Sequence, residues 1–551
     1  MTWSALHGSA ADSSRGRRVP ESADLLIQGG TIVDGTGGDG FRADVAVLDG
    51  RVHLVRGEDL RPDNVGTSID AAGKVVCPGF IDLHSHSGLW ILAEPRHEPK
   101  VRQGVTTEVV GVDGNAYAPF RRHEDLEAFV RLNGGLDGRP EIAYDWGSVA
   151  SYLDRFDRGV AVNVAFVVGN SALRIDALGW EDLRADESAL DRMRGTLREA
   201  MEEGAFGLSS GLDYPPGSFA STDELASLTA EAGKLGGFYH THVRYTLGDR
   251  FLDPFREAIE IGKRGGSPAH ITHFYHRSGY PGGPEQLLGL VEDARAQGQD
   301  VTFDCYPYEW ASTRLLIQLP QRIQAGGPMA LLDRLADSRV RDQLRQEVGQ
   351  PGAASTSTAG WADIRLGYFA TPSNQAWEGR TLAEFMSVTG SDAVDAICDL
   401  LLAEDLHVAQ VTSGPTSETL PRFVAHPVGM VGTDSTFLGA KPSPRTYGSF
   451  PRILGEFVRD KRIMGLEEAV RKMTSAPAAR LGLADRGILR DGAVADVVVF
   501  DPETVASLAT YDEPRRFPVG IEHVIVNGTP VVRDSEHTGA LPGRALRRGR
   551  D

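Results

Sequence analysis

The chain has 551 residues, 41% of them hydrophobic, more than one ordinary domain needs, so one large domain with a smaller companion is expected. Its 76 acidic against 57 basic residues leave a net charge of -19, which repels phosphate backbones and anionic lipid heads and excludes nucleic acid and membrane surfaces as expected partners. No apolar run is long enough to span a bilayer and residues 1–19 lack the apolar stretch of a secretory signal, so a cytoplasmic setting is expected.

Residues 1–22, with Ser13, Ser14 and the cluster Arg15-Gly16-Arg17-Arg18, read as a disordered tail. Residues 23–77 follow as short alternating runs such as Leu25-Leu26-Ile27 and Val52-His53-Leu54-Val55, separated by Gly and Asp, which is the pattern of a small β unit. Within it Gly35-Thr36-Gly37-Gly38-Asp39-Gly40 fits the string of a dinucleotide-binding loop. That fingerprint needs a helix directly afterwards, whereas residues 41–55 alternate like strands, so the glycines are read as a hairpin turn.

At Pro78-Gly79 the β unit gives way to Phe80-Ile81-Asp82-Leu83-His84-Ser85-His86. Two residues apart on a strand means one face, so both imidazoles can reach one metal. From here the chain alternates strands with amphipathic helices, most clearly over residues 204–308. Ser221-Thr222-Asp223-Glu224 is a capping box opening a helix that stops at Gly236-Gly237. A strand over 238–243, a helix over 253–263, a strand over 269–274, a helix over 284–296 and a strand over 301–306 are expected next. Parallel strands need crossover helices, and so many units favour a closed barrel over an open sheet. Residues 318–403 interrupt the rhythm and are expected to be an insertion over the barrel mouth, with 349–360 a flexible loop. Residues 485–551 return to strands, as in Ala495-Asp496-Val497-Val498-Val499-Phe500. The expected fold is therefore α/β: a (β/α)₈ barrel over 78–484 with a small β-sandwich domain built from 23–77 and 485–551.

Only Cys77, Cys305 and Cys398 are present, too few and too scattered for a disulfide framework or a Cys-x-x-Cys site, so a metal must be held by His and carboxylates. Two later strands end in histidine: His240-Thr241-His242 and His270-Ile271-Thr272-His273. Histidines recurring at strand ends of one barrel mouth point to a metal site. His270 and His273 lie an odd number apart, so only one of them should coordinate; of His240 and His242, the deeper should pack behind the other. Gly429-Met430-Val431-Gly432-Thr433-Asp434 is an apolar run ending in an acid. Asp434 suits a helix N-cap taken alone, but beside the histidines an acid/base role is the better reading.

With these pieces in place the chain resembles the amidohydrolase superfamily, and within it the N-acyl-D-amino-acid deacylase (D-aminoacylase) branch. The resemblance rests on His84-Ser85-His86, Gln103-Gly104-Val105-Thr106-Thr107, the run Gly207-Leu208-Ser209-Ser210-Gly211-Leu212-Asp213-Tyr214, His242-Val243-Arg244, Asp304-Cys305-Tyr306-Pro307-Tyr308 and Pro444-Arg445-Thr446-Tyr447. It implies a hydrolase of carbon–nitrogen bonds other than peptide bonds, acting on a small molecule. His84, His86, His242 and His273 would be metal ligands and Asp434 the acid/base. A metal-bound hydroxide would attack the amide of an N-acyl-D-amino acid, releasing a carboxylate and the free D-amino acid. The ion would be zinc in the first instance, one or two per chain.

The chain departs from that branch twice. Asp113, in Gly111-Val112-Asp113-Gly114-Asn115, stands where the branch has a cysteine ligand, and is kept as a ligand because a carboxylate also binds or bridges divalent ions. Tyr275 stands where the branch has a lysine for the substrate carboxylate. Arg244 or Arg314 is expected to take over that role, with Tyr214, Tyr306 and Tyr308 as pocket-lining aromatics and Tyr275 counted with Tyr214 and Tyr308 among the substrate-binding residues. A different amide, a cyclic imide, a carbamate or a lactone is the alternative substrate, a scaffold without activity is the remote alternative, and a homo-oligomer stays open.

Overall fold

The computed structural model describes residues 22–56, 62, 64–245, 248–277, 279–348 and 360–551. The expected tail, apart from Ser22, and the expected loop at 349–360, apart from Gly360, lie outside the described residues.

Among the described residues nine short strands form two all-parallel sheets. They are β1 (Phe80–Asp82), β2 (Val105–Val110), β3 (Asn163–Phe166), β4 (Val168–Gly169), β5 (Gly207–Gly211), β6 (Phe238–His242), β7 (Ala269–Ile271), β8 (Val301–Cys305) and β9 (Gly429–Val431). One sheet runs β3-β2-β1 and the other β4-β5-β6-β7-β8-β9. β3 and β4 are one extended segment broken at Val167, whose N–H still reaches the Val110 carbonyl at 3.0 Å. At the other end Ser85, just past β1, bridges in parallel to Ser435, just past β9. Every residue of β2, β5, β6 and β8 is buried, the signature of parallel strands covered on both faces.

The crossover helices follow the sequence pattern closely. Asp253–Gly265 starts with Pro254 in its first turn, buries Phe255, Ala258, Ile261 and Gly262 on one face, and stops where Gly266 takes φ 58°. Thr222–Lys234 is capped by Ser221, whose hydroxyl accepts from the Glu224 N–H at 3.2 Å. The capping box is only half made, because the Glu224 carboxylate is drawn instead to the fully buried Arg174 guanidinium.

Strands from both chain ends share one sheet. Its order is Glu536–His537, Thr529–Arg533, Ile521–Val526, Val497–Phe500, Val75–Pro78, Thr31–Ile32, Phe41–Arg42. Val497–Phe500 pairs antiparallel with Val75–Pro78. A four-stranded sheet of Arg51–Val55, Asp44–Leu48, Ser22–Gln28 and Asn64–Asp70 packs on it through Leu25, Ile27, Val45, Val497 and Ile525. The glycine-rich run at 35–40 leads into the strand Phe41–Arg42, not a helix.

Between β8 and β9 the chain builds a separate antiparallel sheet, Trp310–Arg314, Val408–Ser413 and Arg365–Phe369, with Val408–Ser413 in the middle. The irregular region thus begins before 318 and ends after 403. Four helices, including Gly327–Ala336 and Ala393–Ala403, close over that sheet around a core of their own containing Leu316, Leu331, Leu366, Ile397 and Leu401.

Candidate active site and metal centre

The strand ends deliver the predicted residues to one place. β1 stops at Asp82, and the segment beyond it carries His84 and His86, with ring centroids 5.6 Å apart. Asp113 follows β2 in a tight turn at φ 52°, His273 follows β7 at φ 33° and Asp434 follows β9 at φ 49°. Three of the six predicted ligands and catalytic groups therefore sit in the left-handed region, backbone strain of a kind that collects at functional sites. β7 ends at Ile271, so this turn, not strand parity, lifts His273 into the site. Glycine makes the approaches close enough: a Cβ on Gly211 would sit 1.9 Å from the Asp113 carbonyl oxygen, and one on Gly432 would sit 2.6 Å from the Asp304 carboxyl carbon.

Four imidazole nitrogens converge on a single oxygen. Asp113 Oδ2 lies 3.2 Å from His84 Nε2, 3.5 Å from His86 Nε2, and 3.6 Å from both His242 Nδ1 and His273 Nε2. Asp434 Oδ1 stands 3.5 Å from His84 Nε2 and 3.3 Å from His86 Nε2. His84, His86, Asp113 and Asp434 make one donor set, and Asp113, His242 and His273 a second that shares Asp113.

The far nitrogen of each ring faces a carboxylate or a hydroxyl. His84 Nδ1 faces Asp304 at 3.5 Å, His86 Nδ1 faces Asp137 at 3.3 Å, His242 Nε2 meets Asp213 at 3.0 Å and His273 Nδ1 meets the Tyr245 hydroxyl at 2.7 Å. Outer partners of this kind fix the tautomer and turn the inner nitrogens toward a cation. The donors present, imidazole and carboxylate, suit zinc and neighbouring divalent ions, so the residues fit the metal that the motifs imply. His240 and His270 pack underneath: His240 Nε2 donates to the Leu83 carbonyl at 3.1 Å, and His270 bonds Thr302 and Asp304 at 2.8 and 3.0 Å.

Buried carboxylates dominate the electrostatics of the cluster. Burial opposes charge on His84, but Asp113, Asp434 and Asp304 outweigh it and push its pKa up to about 10. His86 is also raised well above the ordinary imidazole range, against its burial, by Asp113, Asp137 and Asp434. Burial likewise works against ionised Asp434, yet Arg445 and His84 hold it at about 2. Asp434 is no helix cap: Oδ2 pairs with Arg445 Nη1 at 2.8 Å while Oδ1 faces the histidines.

A pH-dependent result follows. Without metal, the raised His84 contributes stability that is complete below 6.5 and lost as pH rises through about 10; Asp434 contributes stability present above 3.8 and lost as pH falls through about 2. A divalent ion bound at His84 and His86 would displace their protons, so zinc affinity is expected to rise with pH. Titration calorimetry of the metal-free protein near neutral pH, in buffers of different ionisation heat, is expected to report about one to two protons released per chain. Binding without proton release would contradict this charge arrangement.

A cavity opens beside His242, His273 and Asp434 and is walled by Tyr214, Tyr275 and Tyr306. Three residues expected in it are turned elsewhere. Arg244 is taken up by Glu257 and the Ser218 and Ala220 carbonyls at 3.2, 2.8 and 2.8 Å. Arg314 is buried behind Tyr214, 4.8 Å from its ring, and donates to the Leu132 carbonyl and to Asn133. Tyr308 bonds Ser507 at 2.7 Å under the Arg452 guanidinium, on the side of the C-terminal region. In each case a nearby acceptor or ring captures the polar end before it can reach the cavity.

Sequence reasoning missed Asp137, Asp213, Tyr245, Arg277, Asp304 and Arg445. Asp213, Asp304 and Arg445 stand inside the motifs quoted above, and position was their available signal. It also missed the charge network behind the site, in which Lys100 Nζ bonds Asp82, Thr433 and Ser435, and lies 3.1 Å from Glu108. Asp82 in turn accepts from the His84 and Thr433 N–H groups at 3.1 and 2.9 Å.

The chain belongs to the amidohydrolase family, whose model matches residues 67–532. It is 35% identical to an N-acyl-D-glutamate deacylase of Alcaligenes xylosoxydans xylosoxydans over 96% of this chain and 98% of that protein. It is 34% identical to a D-aminoacylase of the same organism, over 95% and 98%. The crystal structure of an N-acyl-D-glutamate deacylase from Bordetella bronchiseptica, complexed with zinc and a phosphonate mimic of the tetrahedral intermediate, superposes with a TM-score of 0.80 at 32% identity. The match covers 96% of this chain and all of that one, at 100%. The fold class is accordingly α/β of the amidohydrolase type. No helix among the described residues is long and apolar enough to cross a membrane.

Proposed function

We propose that this protein is a metal-dependent hydrolase that cleaves the amide bond of N-acyl-D-amino acids, releasing a carboxylate and the free D-amino acid. The observation that carries this reading is the convergence of four imidazoles on Asp113 Oδ2, with ionised Asp434 at 3.3 to 3.5 Å and a tyrosine-walled cavity alongside. The relatives named for deacylation support the substrate class. His84, His86, Asp113, His242 and His273 would hold one or two divalent ions, zinc first. The chemistry an ion supplies in such a site is acidification of water and stabilisation of charge developing on the amide oxygen.

Asp434 takes the proton from the attacking water and returns it to the departing amine as the carbon–nitrogen bond breaks. Arg445 holds one carboxylate oxygen so that the other keeps facing the reaction centre. Asp304, Asp137, Asp213 and Tyr245 orient the rings.

In the same reading the two parallel sheets are arcs of one (β/α)₈ barrel, closed by the Ser85–Ser435 bridge and the Val110–Val167 link. The sheets from both chain ends form the β-sandwich companion, and the inserted sheet roofs the mouth. Three buried free thiols fit a reducing, cytoplasmic compartment.

The test is amine release by the zinc-loaded protein from paired N-acetyl-D- and N-acetyl-L-amino acids. Turnover of D-substrates and not of their L-partners is expected. Silence toward every N-acetyl amino acid, with metal bound, would turn the assignment to cyclic imides, carbamates or lactones.

A further inference from the structure

The inserted sheet reaches the proposed metal ligands through one buried cation. Arg314 ends the strand Trp310–Arg314, stands opposite Ala409 of the neighbouring antiparallel strand Val408–Ser413, and is 1% exposed. Its Nη1 donates to the Leu132 carbonyl at 3.3 Å and to Asn133 Oδ1. Both acceptors lie between β2 and β3, where the helix His123–Leu132 ends and the short helical turn Gly134–Asp137 begins.

Asn133 is the pivot of that turn. Its side-chain amide donates back to the Phe129 carbonyl at 3.0 Å, and its own carbonyl accepts from the Leu136 and Asp137 N–H groups at 2.8 and 3.0 Å. Glycines seat the turn directly on the inserted region: a Cβ on Gly134 would run into the His407 ring, and one on Gly135 into the Val408 carbonyl. The turn ends at Asp137, whose Oδ1 faces His86 Nδ1 at 3.3 Å while Oδ2 accepts from the Tyr117 hydroxyl. Arg314, Asn133, Asp137 and His86 thus form one chain of contacts from the inserted sheet to an imidazole whose other nitrogen lies 3.5 Å from Asp113 and 3.3 Å from Asp434.

Packing alone does not call for a guanidinium there. An apolar side chain of similar volume is often as stabilising as a buried ion, whereas a planar fork of donors holds its acceptors in one geometry. Nor is Arg314 part of the cavity wall; Tyr214 is, with its ring 4.8 Å from the guanidinium carbon.

We propose, on the reading above that His86 holds a metal ion, that Arg314 is a positioning residue for that ion: it anchors the 134–137 turn so that Asp137 keeps the His86 ring aimed at the metal. The outer partners of ligating histidines set ring orientation and affinity. Here the outer partner is itself held from the inserted sheet, which makes that sheet a working part of the metal centre.

The test follows zinc loss to excess chelator from the loaded wild type and from Arg314→Met, Arg314→Lys, Asp137→Asn and the double variant Arg314→Met/Asp137→Asn. Asp137→Asn is expected to speed the loss about 10- to 100-fold and Arg314→Met about 10-fold, with Arg314→Lys between Arg314→Met and the wild type. In the double variant Arg314→Met should add less than about twofold to the effect of Asp137→Asn, because both act on one ring. With cobalt in place of zinc, the visible absorption band should shift in the same direction in Arg314→Met and Asp137→Asn, which a general loss of stability would not produce. Should Arg314→Met fail to fold, Asn133→Ala breaks the chain of contacts at its middle and takes its place in the same comparison. A wild-type rate of zinc loss in that variant, full multiplication of the two effects in the double variant, or a raised KM with zinc retention unchanged would each overturn this proposal while leaving the hydrolase reading standing. Wild-type protein that takes up no zinc would overturn the hydrolase reading and this proposal with it.

Discussion

Asp434→Asn is expected to lower kcat by about 10²- to 10⁴-fold while zinc content stays close to that of the wild type. The amide keeps the shape of the carboxylate but cannot take a proton from water at neutral pH, and that transfer is what the proposed reaction asks of this residue. The proposed ligand set keeps Asp113 and the four imidazoles that face its Oδ2. Arg445, fully buried, loses the charge it pairs with at 2.8 Å, so a drop in thermal stability accompanies the drop in rate. Single-turnover kinetics with metal analysis on the same sample separate the two effects. A variant that retained wild-type kcat would remove Asp434 from the proton path and return it to a purely structural role beside Arg445.

Lys100→Met is expected to be the most destabilising single change outside the proposed metal ligands. Lys100 is fully buried and meets Asp82 and Glu108, two carboxylates that are themselves fully buried. Removing one partner of a buried ion pair strands the other, at about 3 to 5 kcal/mol. The consequence reaches the site because Asp82 accepts the backbone N–H of both His84 and Thr433, and the Asp434 N–H donates to the His84 carbonyl at 2.8 Å. Denaturant midpoints at fixed zinc concentration should fall for Lys100→Met, and adding Asp82→Asn should restore part of the loss by removing one stranded charge. An unchanged midpoint in the single variant would mean that the network is not the support described.

The clustering of the residues proposed as metal ligands and of Asp434 was legible because strand ends in a parallel α/β chain carry chemistry in a recognisable way: a histidine pair after the first strand, histidines after two later ones, an acid after the last. The pocket was far less legible. Arg244 follows His242 by two residues and so promised contact with substrate, yet Glu257, 13 residues further along, captures it. Arg314 looked like an anchor and is instead buried behind Tyr214. Arg277 carried no local signal, since it reaches the cavity wall from a loop bridged to Pro415, past the end of the inserted strand Val408–Ser413.

What the sequence by itself determined was local and periodic: the crossover helices with their caps and glycine stops, the buried parallel strands, and the residue types that arrive at each strand end. Backbone hydrogen bonding and burial act over a few residues, so these features can be read along the chain. What only the tertiary structure decided was which nitrogen of each imidazole turns inward, which carboxylate stands behind it, and which arginine faces the cavity. Those outcomes depend on contacts between segments far apart in the chain: Asp304 behind His84, Asp213 behind His242, Pro415 beside Arg277. The energy of a buried charge is set by whatever surrounds it in space, and the order of residues does not state that in advance.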